Sequence, residues 1–325
     1  MKIPGSIREK YDDQLPLYEQ LRDRVDNLIK NKKDSRWHYE SRVKNPESFA
    51  LKIETGRYLN PDQIEDTFAC TLVVENLESV SKAEQFIIRE FNVAYRRPVQ
   101  DSITSKSSDS FVFDDLRIYC KWRDEIAQSP SGLTDSIFEV QIKTYLQHAW
   151  SIATHDLIYK SDEKNWSKER IAFQIKAMLE HADASILEVD RLSQSPCMNK
   201  TNKITEQISK IIEFIHLLWP SNMLPQDVKR LAENVNNLIM NIGIDLDELK
   251  RIIELETSLK RGINILNLSP YETIVQSLLY QVPEKIESFI YIENRKFKIY
   301  LCRELDIPFT INPLRLRNAI WQAPK

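Results

Sequence analysis

The stretch "FVFDDLRIYCKW" (residues 111–122) alternates with a period of two. The alternation places Leu116, Ile118, Cys120 and Trp122 on one face of a strand, and Phe113, Asp115, Arg117, Tyr119 and Lys121 on the other. One face is core and the other is a polar platform. A second stretch, "SIFEVQIK" (136–143), repeats the pattern, with Ile137, Glu139, Gln141 and Lys143 opposite Phe138, Val140 and Ile142. The two pair as a hairpin across "RDEIAQSPSGLTD" (123–135). A third strand, "ACTLVVE" (69–75), follows a short helix that Asn60 caps with Pro61 at its first position. Strands alternate with helices up to about residue 195, whereas apolar spacing from about 203 to 283 is mostly helical. A boundary falls near "SQSPCMNKTNK" (193–203), which is polar and aperiodic. The expected fold is α+β: a mixed sheet of about five strands flanked by helices over residues 1–195, then a mainly helical C-terminal domain over 196–325. Near the end, "NRKFKIYLCRELDIP" (294–308) is compatible with a strand or a further helix.

Composition excludes several classes. Four cysteines (Cys70, Cys120, Cys197, Cys302) stand far apart without a CxxC pair, so neither a structural zinc site nor a disulfide scaffold is indicated. With no run near the roughly 20 apolar residues of a bilayer span, and no apolar core in the first twenty positions, a cytoplasmic chain without a membrane partner is expected. A net charge of -3 is not that of a globally basic nucleic-acid binder. Only 5 glycines occur, against a usual share of about 7%. Neither GxGxxG nor GxxxxGK[ST] is present, so any nucleotide is held without a Gly-rich phosphate loop.

In "SRVKNPESFALK" (41–52), Asn45 is a helix cap and Pro46 a first helical residue, so a helix starts directly after Lys44. Ser48 lies in its first turn and Lys52 one turn on, along the same face, while Arg42 and Lys44 flank the free backbone amides. A helix N-terminus carrying a hydroxyl and three cations suits phosphate; the plain alternative is a solvated basic helix start. Asp66 stands at the entry to a buried strand, where it either faces a cleft or is a solvated carboxylate. Glu139 lies on the polar platform, either as half of a Mg²⁺-binding carboxylate pair with Asp66 or as a cross-strand partner of Arg117. His155 beside Asp156 invites a metal reading, but His38, His148, His181 and His216 lack ligand spacing, and hydrogen-bonded helix histidines are expected. His148 and His155, seven apart, share one helix face.

In chain order these pieces resemble the synthetase domain of the RelA/SpoT family of (p)ppGpp synthetases, across about residues 30 to 190. Its ATP-phosphate motif is matched at Arg42, Lys44, Ser48 and Lys52, and its Asp-containing strand entry at Asp66. "EVQIKTYLQHAWSIATHDLIYK" (139–160) is similar to its E-x-Q-I-[RK]-T…W…H…YK signature, matched at Glu139, Gln141, Lys143, Thr144, Trp150, His155 and Lys160. The resemblance implies a nucleotidyltransferase-like synthetase domain that moves the β,γ-pyrophosphoryl group of ATP to a ribose 3′-hydroxyl and releases AMP. It further implies Mg²⁺ held by Asp66 and Glu139, with Glu139 as catalytic base or metal ligand.

Two departures bear on the acceptor. "ACT" stands where members carry Gly and Arg after the Asp, and "SDSFVFDDLR" (108–117) stands where "GYRSxH" is usual. Phe111 or Phe113 then replaces the base-stacking tyrosine, and Asp115 or Arg117 the histidine. Phe113, Arg117, Gln141, Lys143, His148 and His155 are the expected acceptor contacts. No hydrolase domain precedes the motifs, so a bifunctional enzyme is not expected. The acceptor expected is a guanosine (GDP/GTP) or adenosine nucleotide. The alternatives are a toxin or phage-defence effector that pyrophosphorylates the 3′ end of tRNA, with Arg96, Arg97 and Lys106 as basic contacts or solvated loop residues, and a non-catalytic nucleotide-binding relative. Paired carboxylates repel without a metal, which speaks against that last alternative. A regulatory or homo-oligomerising role is expected of the C-terminal region.

Overall fold

The computed structural model describes residues 2–56, 64–99, 106–107, 110–111, 115–123, 131–158, 165–260, 267–292 and 296–323, without the side chains of residues 131 and 155–158. Asn60, Pro61, Phe113 and Lys160, and the side chain of His155, therefore lie outside the described residues. The chain divides into two compact units, Met1–Met198 and Asn199–Lys325.

The first unit runs α1 (Gly5–Lys32), β1 (His38–Val43), α2 (Pro46–Glu54), β2 (Phe68–Val74), α3 (Leu77–Glu90), β3 (Asn92–Arg97), β4 (Leu116–Lys121), α4 (Ser131–Asp135), β5 (Ile137–Thr144), α5 (Tyr145–Ile158), α6 (Trp166–Leu187) and α7 (Val189–Ser193). Its sheet is mixed and five-stranded, ordered β1-β2-β5-β4-β3. β2 and β5 are parallel at the centre, and the other neighbours are antiparallel. One face is the core. Phe68, Cys70, Leu72 and Val74, with Phe138, Val140 and Ile142, pack on Ile118 and Cys120 and are covered by Tyr18, Leu21, Val25 and Ile29 of α1 and Ala83, Phe86 and Ile87 of α3. That apolar burial outside water drives closure of the sheet against the two helices. β4 begins at Leu116, so the strand is shorter than the alternating pattern from residue 111, and Phe111 is exposed. Alternation reports a face but not whether a partner strand reaches that far.

Local signals hold α2 and α5 where they are. The Asn45 side chain accepts from the Ser48 N–H at 2.8 Å, with Pro46 in the first turn. Tyr11 packs edge-on against Phe49 and donates from its hydroxyl to the Lys44 carbonyl at 3.0 Å, tying α1 to the start of α2. At the end of β5, the Gln147 N–H donates to Thr144 Oγ1 while Gln147 Oε1 accepts from the Thr144 N–H, both at 3.1 Å. This reciprocal pair turns strand directly into helix.

The second unit contains α8 (Lys203–Leu218), α9 (Val228–Ile242), α10 (Leu246–Ser258), α11 (Pro270–Gln281), α12 (Pro283–Tyr291) and a parallel pair of short strands, β6 (Ile299–Leu301) and β7 (Ala319–Trp321). The undecided 294–308 stretch thus contributes a strand. Gly243 closes α9 in the left-handed region at φ 73°, where a side chain would be strained. Ile211, Val235, Leu249, Ile253, Leu278 and Phe289 belong to the unit's own core. Among the described residues no helix is long and apolar enough to cross a membrane.

Candidate active site

Strand register assembles the polar face of the sheet into rows. Arg42, Ala69, Glu139, Tyr119 and Tyr95 form one row across all five strands. Glu40, Thr71, Gln141, Arg117 and Arg97 form the next, and His38, Val73 and Lys143 a third. Side chains of one row share a face, because neighbouring strands keep their pleats in phase.

Glu139 is the buried centre of this face, 3% exposed. Its Oε2 accepts from the Tyr119 hydroxyl at 2.6 Å, its Oε1 accepts from Gln141 Nε2, and Arg117 Nη1 lies 3.8 Å from Oε2. A carboxylate this deep is tolerable only with such donors around it. Arg117 is shared: its Nε donates to Asp115 Oδ1 at 2.8 Å. Asp115 is itself buried, and Lys143 Nζ stands 3.6 Å from its Oδ2. Burial disfavours the charge on Arg117, but Asp115 and Glu139 more than offset it and raise its pKa. For Lys143 burial wins, with Arg117 adding to it, and the pKa falls despite Asp115. Tyr119 is pushed up by burial and by Glu139, so its phenol stays a proton donor. Its ring stacks on Tyr95 at 4.3 Å between centroids, with the Arg97 guanidinium 5.2 Å from one ring and 5.3 Å from the other.

Asp66 occupies the turn into β2, three residues before Ala69, the register partner of Glu139. It is a half-buried turn residue. Lys44 Nζ lies 3.0 Å from Oδ2 and Lys52 Nζ 2.6 Å from Oδ1, so two of the cations expected for phosphate clasp this carboxylate. Burial tends to raise its pKa, and Lys44 and then Lys52 more than reverse that, keeping it lowered. Arg42 and Ser48 are exposed beside them. Asp66, held ionised by lysines, and Glu139 are both oxygen donors of the kind a hard divalent cation takes together with phosphate oxygens, with Asp66 in the turn three residues before the register partner of Glu139.

The structure brings together Arg42, Glu139, Gln141, Arg117 and Lys143 on one face, and Lys44, Lys52, Ser48 and Asp66 at the entry to α2. His148 instead stands towards the sheet edge, its ring 6.0 Å from that of His38. Burial lowers its pKa, with Lys143 and His38 adding to that and Glu40 opposing. The proposed basic contacts are committed elsewhere. Arg96 is a β3 residue paired with Glu84 at 2.7 Å, Arg97 lies on the tyrosine stack, and Lys106 pairs with Glu180 at 3.3 Å. A strand therefore replaces the expected loop at residues 96 and 97. Sequence reasoning missed Tyr95 and the Tyr119 hydroxyl as parts of the site. The signal for Tyr119 was present in its polar-platform position, but only the strand register shows that it faces Glu139. Two buried bonds tie α6 to the end of β5 and to α5: Thr144 Oγ1 donates to Asp183 Oδ2 at 2.7 Å, and Trp150 Nε1 donates to the Ala172 carbonyl at 2.8 Å.

Residues 41–164 match the family described as the region found in RelA / SpoT proteins. No curated protein matches the chain. Among solved structures, the chain is similar to small alarmone synthetase 1 from Bacillus subtilis, at 15% identity and TM-score 0.46, covering 57% of this chain and 98% of that one. The same synthetase bound to its product pppGpp gives 17% identity and TM-score 0.45 over 57% and 100%. A GTP pyrophosphokinase family protein from Streptococcus pneumoniae gives 17% and 0.44 over 61% and 100%.

Proposed function

From the match of residues 41–164 to the region found in RelA / SpoT proteins, we propose that the protein is an ATP-dependent pyrophosphokinase that modifies the ribose 3′-hydroxyl of a nucleotide. The observation that carries this reading is the Glu139 carboxylate, buried yet held ready by Tyr119, Gln141 and Arg117 on a face lined with cations.

Phosphoryl-type transfer is mostly positioning and charge neutralisation. The positive N-terminal end of α2, the Ser48 hydroxyl and the Arg42, Lys44 and Lys52 side chains receive the triphosphate of ATP. In the free protein Asp66 keeps Lys44 and Lys52 gathered there, so little ordering remains when the polyphosphate arrives. Asp66 and Glu139 would hold Mg²⁺, which when bound neutralises charge on the transferring group. Glu139 accepts the proton of the attacking 3′-hydroxyl, and Arg117 and Lys143 compensate the charge that shifts onto the acceptor side. Tyr119 fixes the orientation of Glu139, and the stacked Tyr95 and Tyr119 under Arg97 close that end of the face. The first unit is the pyrophosphokinase domain and the second a regulatory one.

The acceptor favoured is a free nucleotide, because Arg96 and Lys106, two of the three cations that a tRNA rim would use, are paired with Glu84 and Glu180. The test is transfer from γ-labelled ATP with Mg²⁺ to GDP, GTP, ATP or bulk tRNA, offered separately, with Glu139→Gln as control. Label in a nucleotide that vanishes in the variant supports the proposal. Label in tRNA alone makes the protein an effector acting on translation, and no transfer with ATP still bound overturns catalysis by this chain under these conditions.

A further inference from the structure

A cluster of metal-ligating side chains, two imidazoles and a carboxylate, lies at the edge of the sheet. His38 and Glu40 alternate along β1 and therefore share one exposed face of the edge strand. α5 brings His148 against them, and one ligand atom from each of the three side chains lies within 4.8 Å of the other two. His148 Nδ1 is buried and has no hydrogen-bond partner, an orphan of the kind that protein interiors rarely keep. The metal reading of the histidines fails on sequence spacing, because His38 and His148 are 110 positions apart. The fold alone makes them neighbours.

We propose that His38, Glu40 and His148 bind one zinc-class transition-metal ion, which clasps the first turns of α5 to edge strand β1. Two imidazoles and one carboxylate suit Zn²⁺, Ni²⁺ or Co²⁺ and discriminate against Mg²⁺, which prefers an all-oxygen octahedron. Bond lengths of about 2.0–2.2 Å place tetrahedral ligand atoms about 3.4 Å apart. The exposed side chains of His38 and Glu40 have the rotamer freedom through which the present separation would close. Three protein ligands leave a fourth position for water. The site sits on the same polar face as Glu139 but two strands away from β5, at Glu40 in the row of Gln141. It does not depend on the pyrophosphokinase reading.

The test uses the full chain stripped with chelator. Co²⁺ is the probe for visible absorption, Zn²⁺ for equilibrium dialysis and thermal shift, all with excess Mg²⁺ present. The expected result is one equivalent of Zn²⁺ that Mg²⁺ does not displace, a higher unfolding midpoint, and visible Co²⁺ bands of tetrahedral intensity. Both His38→Ala and Glu40→Gln, whose side chains are exposed, retain the metal-free unfolding midpoint and weaken binding at least 10-fold. Absence of binding by the parent chain overturns the proposal, as does undiminished binding by either variant, which would place the ion elsewhere.

Discussion

Removal of Asp115 tests the charge relay that supports the site. Its carboxylate is buried and faces two cations of different exposure: Arg117, whose side chain is 36% exposed, and Lys143, at 8%. Loss of a hydrogen bond to a charged partner costs about 1.5–3 kcal/mol when buried, and solvent at Arg117 reduces that to about 1 kcal/mol. Lys143 has little solvent relief, and removing its Asp115 counter-charge beside Arg117 adds about 2 kcal/mol. The expected cost of Asp115→Ala is therefore about 3 kcal/mol, at the low end for breaking a buried pair. At a slope near 2 kcal/mol/M this lowers the urea midpoint of the N-terminal unit by about 1.5 M. Combining Asp115→Ala with Lys143→Met removes the buried charge that Asp115 compensates and should recover roughly half of the loss, a coupling that a double-mutant cycle measures. A cost below about 1 kcal/mol, or a double variant less stable than Asp115→Ala alone, would refute the assignment of Asp115 as the counter-charge of Lys143.

Further outcomes follow from the same geometry. Glu139→Gln should lower transfer by about 10²–10⁴-fold in single-turnover assays while ATP binding persists, since only proton acceptance and metal ligation are lost. Tyr119→Phe keeps the ring stack on Tyr95 but removes the hydroxyl that orients Glu139. It should lower kcat about 10-fold with little change in KM for ATP, and a larger effect on KM would place the hydroxyl on the substrate instead. The folded-state pKa of Asp66 is lowered, so its contribution to stability is full above the unfolded value of about 3.9 and is lost as pH falls through the lower folded value. Acid titration of the unfolding midpoint should therefore be steeper below about pH 4 in the parent than in Asp66→Asn. Identical acid limbs would count against the clasp by Lys44 and Lys52.

The sequence by itself determined what is local. Period-two alternation assigned Glu139, Gln141 and Lys143 to one face and Phe138, Val140 and Ile142 to the other, and the sheet keeps that division. Asn45 and Pro46 announced the start of α2 because a cap acts within three residues. The runs that resemble family motifs could be read for the same reason, being short and of fixed spacing. Tertiary structure decided which polar groups meet. Lys44 and Lys52 read as phosphate cations, and only the approach of α2 to the turn before β2 shows that they also hold Asp66. Tyr119 meets Glu139 because β4 and β5 pair in one register; a slip of one residue would send that phenol to the other face. His38 and His148 join through the docking of a helix on an edge strand. Periodicity is a property of one segment, whereas register and docking depend on how separate segments bury their apolar faces together, and no single stretch of sequence contains that information.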